Sequence, residues 1–305
     1  MQETKVNRKY KDRLFRFIFQ NKEDLLSLYN AVNHSNYDDP DLLEITTLDD
    51  VLYLGMKNDI SFLIDSYMNL YEAQSTWNPN MPLRGLFYFS RLYSSYVESE
   101  QLDIYSGVRL KLPTPRYLVF YNGTRRESEI QTLRLSSSFE KTLEEDEAPC
   151  LECIATVLNI NYGHNETLMK QCRKLYEYSY LVNQIRKFLA KGFQLELAIE
   201  LAIKDCLQND ILADFLAKHR EEAKLMILSE YNEELHKKTL LKEGREEGRR
   251  EGRKEGRDIT LLLFRYLKEA NRMDDWNKAL SDLEFYDKLL EEFHLDTNDD
   301  PPSLI

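Results

Sequence analysis

The sequence predicts an α/β fold: a mixed sheet flanked by helices, followed by an α-helical C-terminal half. Three observations lead there. A run of β-branched, aromatic and aliphatic residues broken by a short polar stretch lies between 58 and 76 and has the texture of a β-hairpin. Other strand-like segments occur only before about residue 165. Beyond that point apolar residues recur at helical spacing.

In chain order, residues 1–16 carry Lys5, Arg8, Lys9, Lys11, Arg13 and Arg16 against Glu3 and Asp12. This basic face is either a solvated helix surface or an arm that meets phosphates, Lys11 among its contacts. Leu14, Phe15, Phe17, Ile18 and Phe19 form an apolar block. Asn21, with Asp24 three residues on, caps a helix whose buried stripe is Leu25, Leu26, Leu28, Tyr29 and Val32. The segment Asp38-Asp39-Pro40-Asp41 ends it, and Leu43 to Met56 reads as extended chain with a turn at Asp49-Asp50.

The hairpin follows, its strands running to Asp65 and from Leu70, with a turn at Ser66-Tyr67-Met68-Asn69. Residues 83–98 form a helix, 117–121 a strand ended by Asn122-Gly123, and 154–160 another strand before a turn at 161–165. Helix, three strands, helix, strand is the order of a sheet with a crossover helix on one face. Four units result: 1–165 as the α/β domain, 166–241 as a helical extension, 242–257 as a repeat, and 258–305 as a small helical module with a frayed tail. In the repeat, Gly244, Gly248, Gly252 and Gly256 recur every four residues among Glu, Lys and Arg. It is a solvated spacer or a stripe for homotypic contact, which would make a dimer.

Composition narrows the function. The chain has 305 residues, 42% of them hydrophobic, and a net charge of −12. It can bury a core, and any nucleic-acid surface must be local. No apolar run reaches the ~20 residues of a membrane span, so no membrane association is expected. The start of the chain shows no secretory signal, and four cysteines make no disulfide framework, so a cytoplasmic location is expected. Phosphate-binding Gly-rich loops, dinucleotide fingerprints and Gly-x-Ser-x-Gly elbows are all missing from the sequence. The histidines are scattered, and Cys150-x-x-Cys153 has no second pair, so the two read as buried or half-buried thiols.

What remains is the hairpin. Glu72 and Gln74 lie two apart and share a strand face, and Asp59 begins the facing strand. Two carboxylates, joined by the Ala73 carbonyl, suit a hard divalent cation: Mg²⁺, with Mn²⁺ or Ca²⁺ as alternatives. Such an ion polarises a phosphodiester and lowers the pKa of a bound water, while Gln74 can orient water or phosphate. The bare pattern also fits polar residues on a solvent-facing strand.

The element order, with an acid on one strand and Glu-x-Gln on the next, resembles the PD-(D/E)XK restriction-endonuclease-like core. Within that superfamily, several motifs resemble the recombination-promoting nuclease, or putative transposase, family of bacteria. They are Lys11-Asp12-Arg13-Leu14-Phe15-Arg16, Tyr53-Leu54-Gly55-Met56-Lys57-Asn58-Asp59, Leu70-Tyr71-Glu72-Ala73-Gln74-Ser75-Thr76, Asn80-Met81-Pro82-Leu83-Arg84-Gly85 and Tyr121-Asn122-Gly123. The resemblance covers roughly 8–165, and the Glu-Gly-Arg repeat is similar to one that many members carry.

The resemblance implies a bacterial, metal-dependent DNA endonuclease with Asp59 and Glu72 as metal ligands and Gln74 where the superfamily has lysine. Lys57, on the Asp59 strand face, is a candidate for the positive charge. Asp12 either reaches the metal through water or acts in capping or a structural ion pair. Arg84 and Arg91, seven apart on one helix, are either DNA-phosphate contacts or surface pairs. The competing expectation is a nuclease-fold protein without turnover that binds DNA or oligomerises.

Overall fold

A computed structural model describes residues 13–47, 59–141 and 148–295. The basic segment with Lys11 and Asp12, the part of the expected extended chain from 48 to 56 with its turn at Asp49-Asp50, Lys57 and the tail from 296 lie outside them. The chain divides into two compact units, Met1–Asn232 and Glu233–Ile305.

The first unit opens with α1 (Arg13–Ile18) and α2 (Lys22–Asn33). The Asn21 side chain accepts the Asp24 backbone N–H at 2.7 Å, the cap that the sequence predicts. A six-stranded mixed sheet follows: β1 (Glu44–Ile45), β2 (Ile60–Ile64), β3 (Tyr67–Gln74), β4 (Thr114–Tyr121), β5 (Ile130–Arg134) and β6 (Ile154–Asn159), in spatial order β1-β2-β3-β4-β6-β5. β1 and β2, β2 and β3, and β5 and β6 pair antiparallel; β3, β4 and β6 run parallel. The crossover from β3 to β4 is α3 (Met81–Ser99).

The hairpin turn is shorter and earlier than the sequence suggests. It consists of Asp65 and Ser66 alone, and Asp65 adopts φ 50°, which a short polar side chain tolerates. Tyr67, Met68 and Asn69 belong to β3, and Met68 and Asn69 are buried. β3 is buried along almost its whole length because helices cover both faces of the sheet, so it lacks the alternation of a half-exposed strand. β5 escapes a reading by composition because it is an exposed edge of polar and apolar residues.

Two cores result, one on each face of the sheet, as a sheet flanked by helices requires. On one face Phe62, Tyr71, Ala73, Phe120 and Ile160 meet α1, α2, α5 (Arg173–Ala190) and α6 (Leu195–Gln208). On the other, Leu70, Tyr117, Val119 and Val157 meet Tyr88, Phe89 and Leu92 of α3. The helices after 166 that pack there are thus part of the sheet's own core. A short α4 (Glu166–Gln171) precedes α5, with Cys172 between them out of helical conformation.

α7 (Ala213–Glu269) leaves helical geometry at His219 and includes the glycine repeat. A Cβ added at Gly244, Gly248, Gly252 or Gly256 would meet nothing within 4 Å. The second unit is held by Leu263 and Leu267 against Ala279 of α8 (Met273–Ala279) and Leu289 of α9 (Leu283–Glu292). Among the described residues no helix is long and apolar enough to cross a membrane. Cys153 is half-buried as expected, whereas Cys150 is exposed because it lies in the irregular segment before β6.

Candidate active site

The register of β2 on β3 pairs Ile60 with Tyr71. One step further along the antiparallel pair sets Asp59 opposite Glu72, on the face that α3 covers. The tight turn is what produces this alignment; a four-residue turn would have displaced it. Asp59 is half-buried, and its Oδ2 accepts the Ala73 backbone N–H at 2.7 Å, which holds the carboxylate at the end of the hairpin. The N–H and C=O of one strand residue point to the same side, so the Ala73 carbonyl also faces the Asp59 side. Gln74 shares the Glu72 face and is nearly buried. Glu72, Ala73 and Gln74 end β3, with Asp59 beside them just before β2, at the carboxyl edge of the parallel strands, where α/β sheets place their ligand crevices.

Glu72 is fully buried and both its oxygens are engaged. Arg84 Nη2 donates to Oε1 at 2.8 Å, and the Tyr117 hydroxyl donates to Oε2. Arg84 Nη2 also reaches the Tyr88 hydroxyl at 3.2 Å, one helical turn further along α3. Tyr117 can come so near α3 because Gly85 lies against it: a Cβ there would fall 2.5 Å from a ring carbon of Tyr117. Arg84 therefore turns inward to an acid, whereas Arg91, seven residues on, is exposed. Sharing a helix side in sequence did not give the two the same surroundings, because only Arg84 stands over the end of β3.

Burial raises the pKa of both acids. The Asp59 carboxyl is pushed well above the usual range by desolvation and then by the charge of Glu72; the Ala73 N–H, Arg84 and Arg16 oppose this. Glu72 is raised by desolvation too, against Arg84 and the hydroxyls of Tyr117 and Tyr88. Two acids that repel each other in a poorly solvated site attract a cation. Arg84 supplies one to Glu72, and Asp59 has less of it.

The donor set matches a hard divalent ion, which needs only one or two carboxylates, with carbonyl, water or phosphate oxygens completing the shell. Among the described residues no three His, Cys, Asp or Glu side chains gather into a metal cage. Sequence reasoning missed Tyr117, Tyr88 and the inward turn of Arg84. The spacing of Arg84 and Tyr88, four apart on a helix, was the available sign of a shared face. Nothing local links Tyr117 to Glu72. Compared with protein-family models, with curated protein sequences and with solved structures, the chain has no match.

Proposed function

We propose that the chain is a metal-dependent DNA endonuclease of the PD-(D/E)XK type, of the recombination-promoting, transposase-associated branch, working at Asp59 and Glu72. The observation that carries the reading is the cross-strand apposition of these two acids at the carboxyl edge of β3, both with raised pKa. An antiparallel hairpin joined through α3 to a parallel strand is the arrangement that the resemblance implies.

Asp59, Glu72 and the Ala73 carbonyl would hold Mg²⁺, or Mn²⁺ or Ca²⁺ in its place. The ion would supply charge neutralisation at the phosphate and an activated water. Gln74, on the same face, orients the phosphate or the water but brings no charge. Arg84 supplies the positive charge that Gln74 does not, through its 2.8 Å contact with Glu72. Arg91, exposed on the same helix, is available to a DNA phosphate.

Purified protein with supercoiled plasmid and Mg²⁺, Mn²⁺ or Ca²⁺ is the test. Asp59→Ala and Glu72→Ala abolish nicking if the reading holds; equal nicking by wild type and both variants ends it.

A second reading has its own observation: both oxygens of Glu72 are already bonded within the protein. On that basis the fold is retained as a DNA-binding or self-associating module without turnover. Calorimetric titration with Mg²⁺ or Mn²⁺ separates the two. The nuclease binds the ion and loses binding in Glu72→Ala, and the inert module shows no binding heat in either chain.

A further inference from the structure

On the face opposite Glu72, at the same carboxyl edge, a cavity of about 60 Å³ opens between the strand ends and α5. Asn122, just past β4, and Asn161 and Tyr162, just past β6, form one wall; Ser179, Asn183 and Arg186 of α5 form the other. The spacing of four and then three brings the α5 residues onto one helix face.

Two of these groups are incomplete. Asn122 Oδ1 and Ser179 Oγ are buried without a hydrogen-bond partner, on residues only 5% and 3% exposed. A buried polar group without a partner costs about 1–3 kcal/mol, so such atoms are ordinarily completed by water or ligand.

The charge of the lining is positive. Arg186 is the one ionised side chain among the lining residues, and no carboxylate accompanies it. Its Nη1 donates to Asn161 Oδ1 at 2.7 Å and its Nη2 to the Asn122 carbonyl, which aims the guanidinium and leaves three of its five N–H groups. Lys187 adds a second cation beside the Tyr162 wall, its Nζ 5.8 Å from the ring centroid. The Asn122 Nδ2 lies 2.5 Å from the Tyr178 hydroxyl. Turned about its terminal bond, the amide would accept from that hydroxyl and offer its NH₂ to the cavity. At about 15–30 Å³ for each water-sized oxygen, the space takes roughly two to four, enough for a small oxyanion with part of it toward the opening.

We propose that this cavity binds a phosphate-type oxyanion, held by Arg186, Ser179 and Asn122. The site does not depend on the nuclease reading, because it shares no residue with Asp59 or Glu72. Its ligand comes from one of two sources, free phosphate or a backbone phosphate of nucleic acid.

Titration of the full chain with inorganic phosphate in the absence of divalent metal, followed by ³¹P NMR line broadening and calorimetry, tests it. Saturable binding is expected, weakened on the order of tenfold or more in Arg186→Gln and several-fold in Ser179→Ala. Ser179→Ala removes a hydroxyl that bonds nothing, so it keeps the fold if Arg186→Gln does not. Displacement of the bound phosphate by a short DNA duplex identifies the backbone as the source, and persistence beside the duplex identifies the free anion. Lack of saturable binding in wild type, or unchanged affinity in Ser179→Ala and Arg186→Gln alike, means that the cavity holds only water and overturns the proposal.

Discussion

Two polar clusters share the carboxyl edge of β3, β4 and β6, one on each face of the sheet. On the α3 face, Glu72 has a partner for each oxygen, and its charge is met by Arg84. On the α5 face, Asn122 Oδ1 and Ser179 Oγ have none, and the cation of Arg186 meets no acid in the lining. The first cluster is electrostatically closed, and a metal must compete with Arg84 for one of the Glu72 oxygens. The second is open, and an oxyanion could enter with only the Asn122–Tyr178 hydrogen bond reversed. A polar cluster's readiness to bind therefore depends on its unmet hydrogen bonds and charges, more than on how many polar residues it contains.

The closed cluster should be the sensitive one. Arg84→Met leaves Glu72 buried without its counter-charge and should destabilise the protein by about 3–5 kcal/mol in denaturant unfolding at pH 8. Adding Glu72→Gln should recover part of that loss, and strict additivity would mean that the two side chains are not coupled. Gly85→Ala comes next. In an open helix this change stabilises by about 1 kcal/mol, but here the new methyl meets the Tyr117 ring and should cost about 1–3 kcal/mol. The control is Gly248→Ala in α7, where nothing lies within 4 Å and helicity by circular dichroism should rise.

The pH dependence sharpens the contrast. Because the folded Asp59 carboxyl has a raised pKa, the folded chain holds that proton more tightly than the unfolded one. Its favourable contribution is complete below the ordinary carboxylate range and is lost as pH rises through the raised value. Asp59→Asn keeps an oxygen for the Ala73 N–H and removes the charge. The variant should therefore unfold at higher denaturant than wild type at pH 8, without metal, and the difference should shrink as pH falls to about 4. A pH-independent gap would show that Asp59 is not held in a charge-averse site. The smallest effect belongs to the open cluster: Ser179→Ala should leave the unfolding midpoint almost unchanged, because its hydroxyl has no partner to lose.

Much of the fold was legible in the residues. Asn21 and Asp24 marked the α2 start, and Leu86 to Val97 marked α3, because caps and helical periodicity are local. The hairpin was visible, but its turn was not, since Tyr67 and Met68 adjoin polar neighbours and their strand identity comes from burial against the two faces. β5 had no apolar alternation to show, and Lys57, Lys11 and Asp12 lie outside the described residues.

The sequence by itself determined that Asp59, Glu72 and Gln74 are hairpin neighbours able to share a face, because strand alternation and antiparallel pairing depend on short separations. Only the tertiary structure decided what surrounds them. Arg84 and Tyr117 reach Glu72 from 12 and 45 residues away, through the crossover of α3 and the parallel seating of β4. Asn122 and Ser179 come together only because α5 packs across the strand ends. Contacts of that kind arise from the packing of whole elements, which no local pattern encodes, and they leave Glu72 neutralised within the protein and Arg186 facing an open cavity.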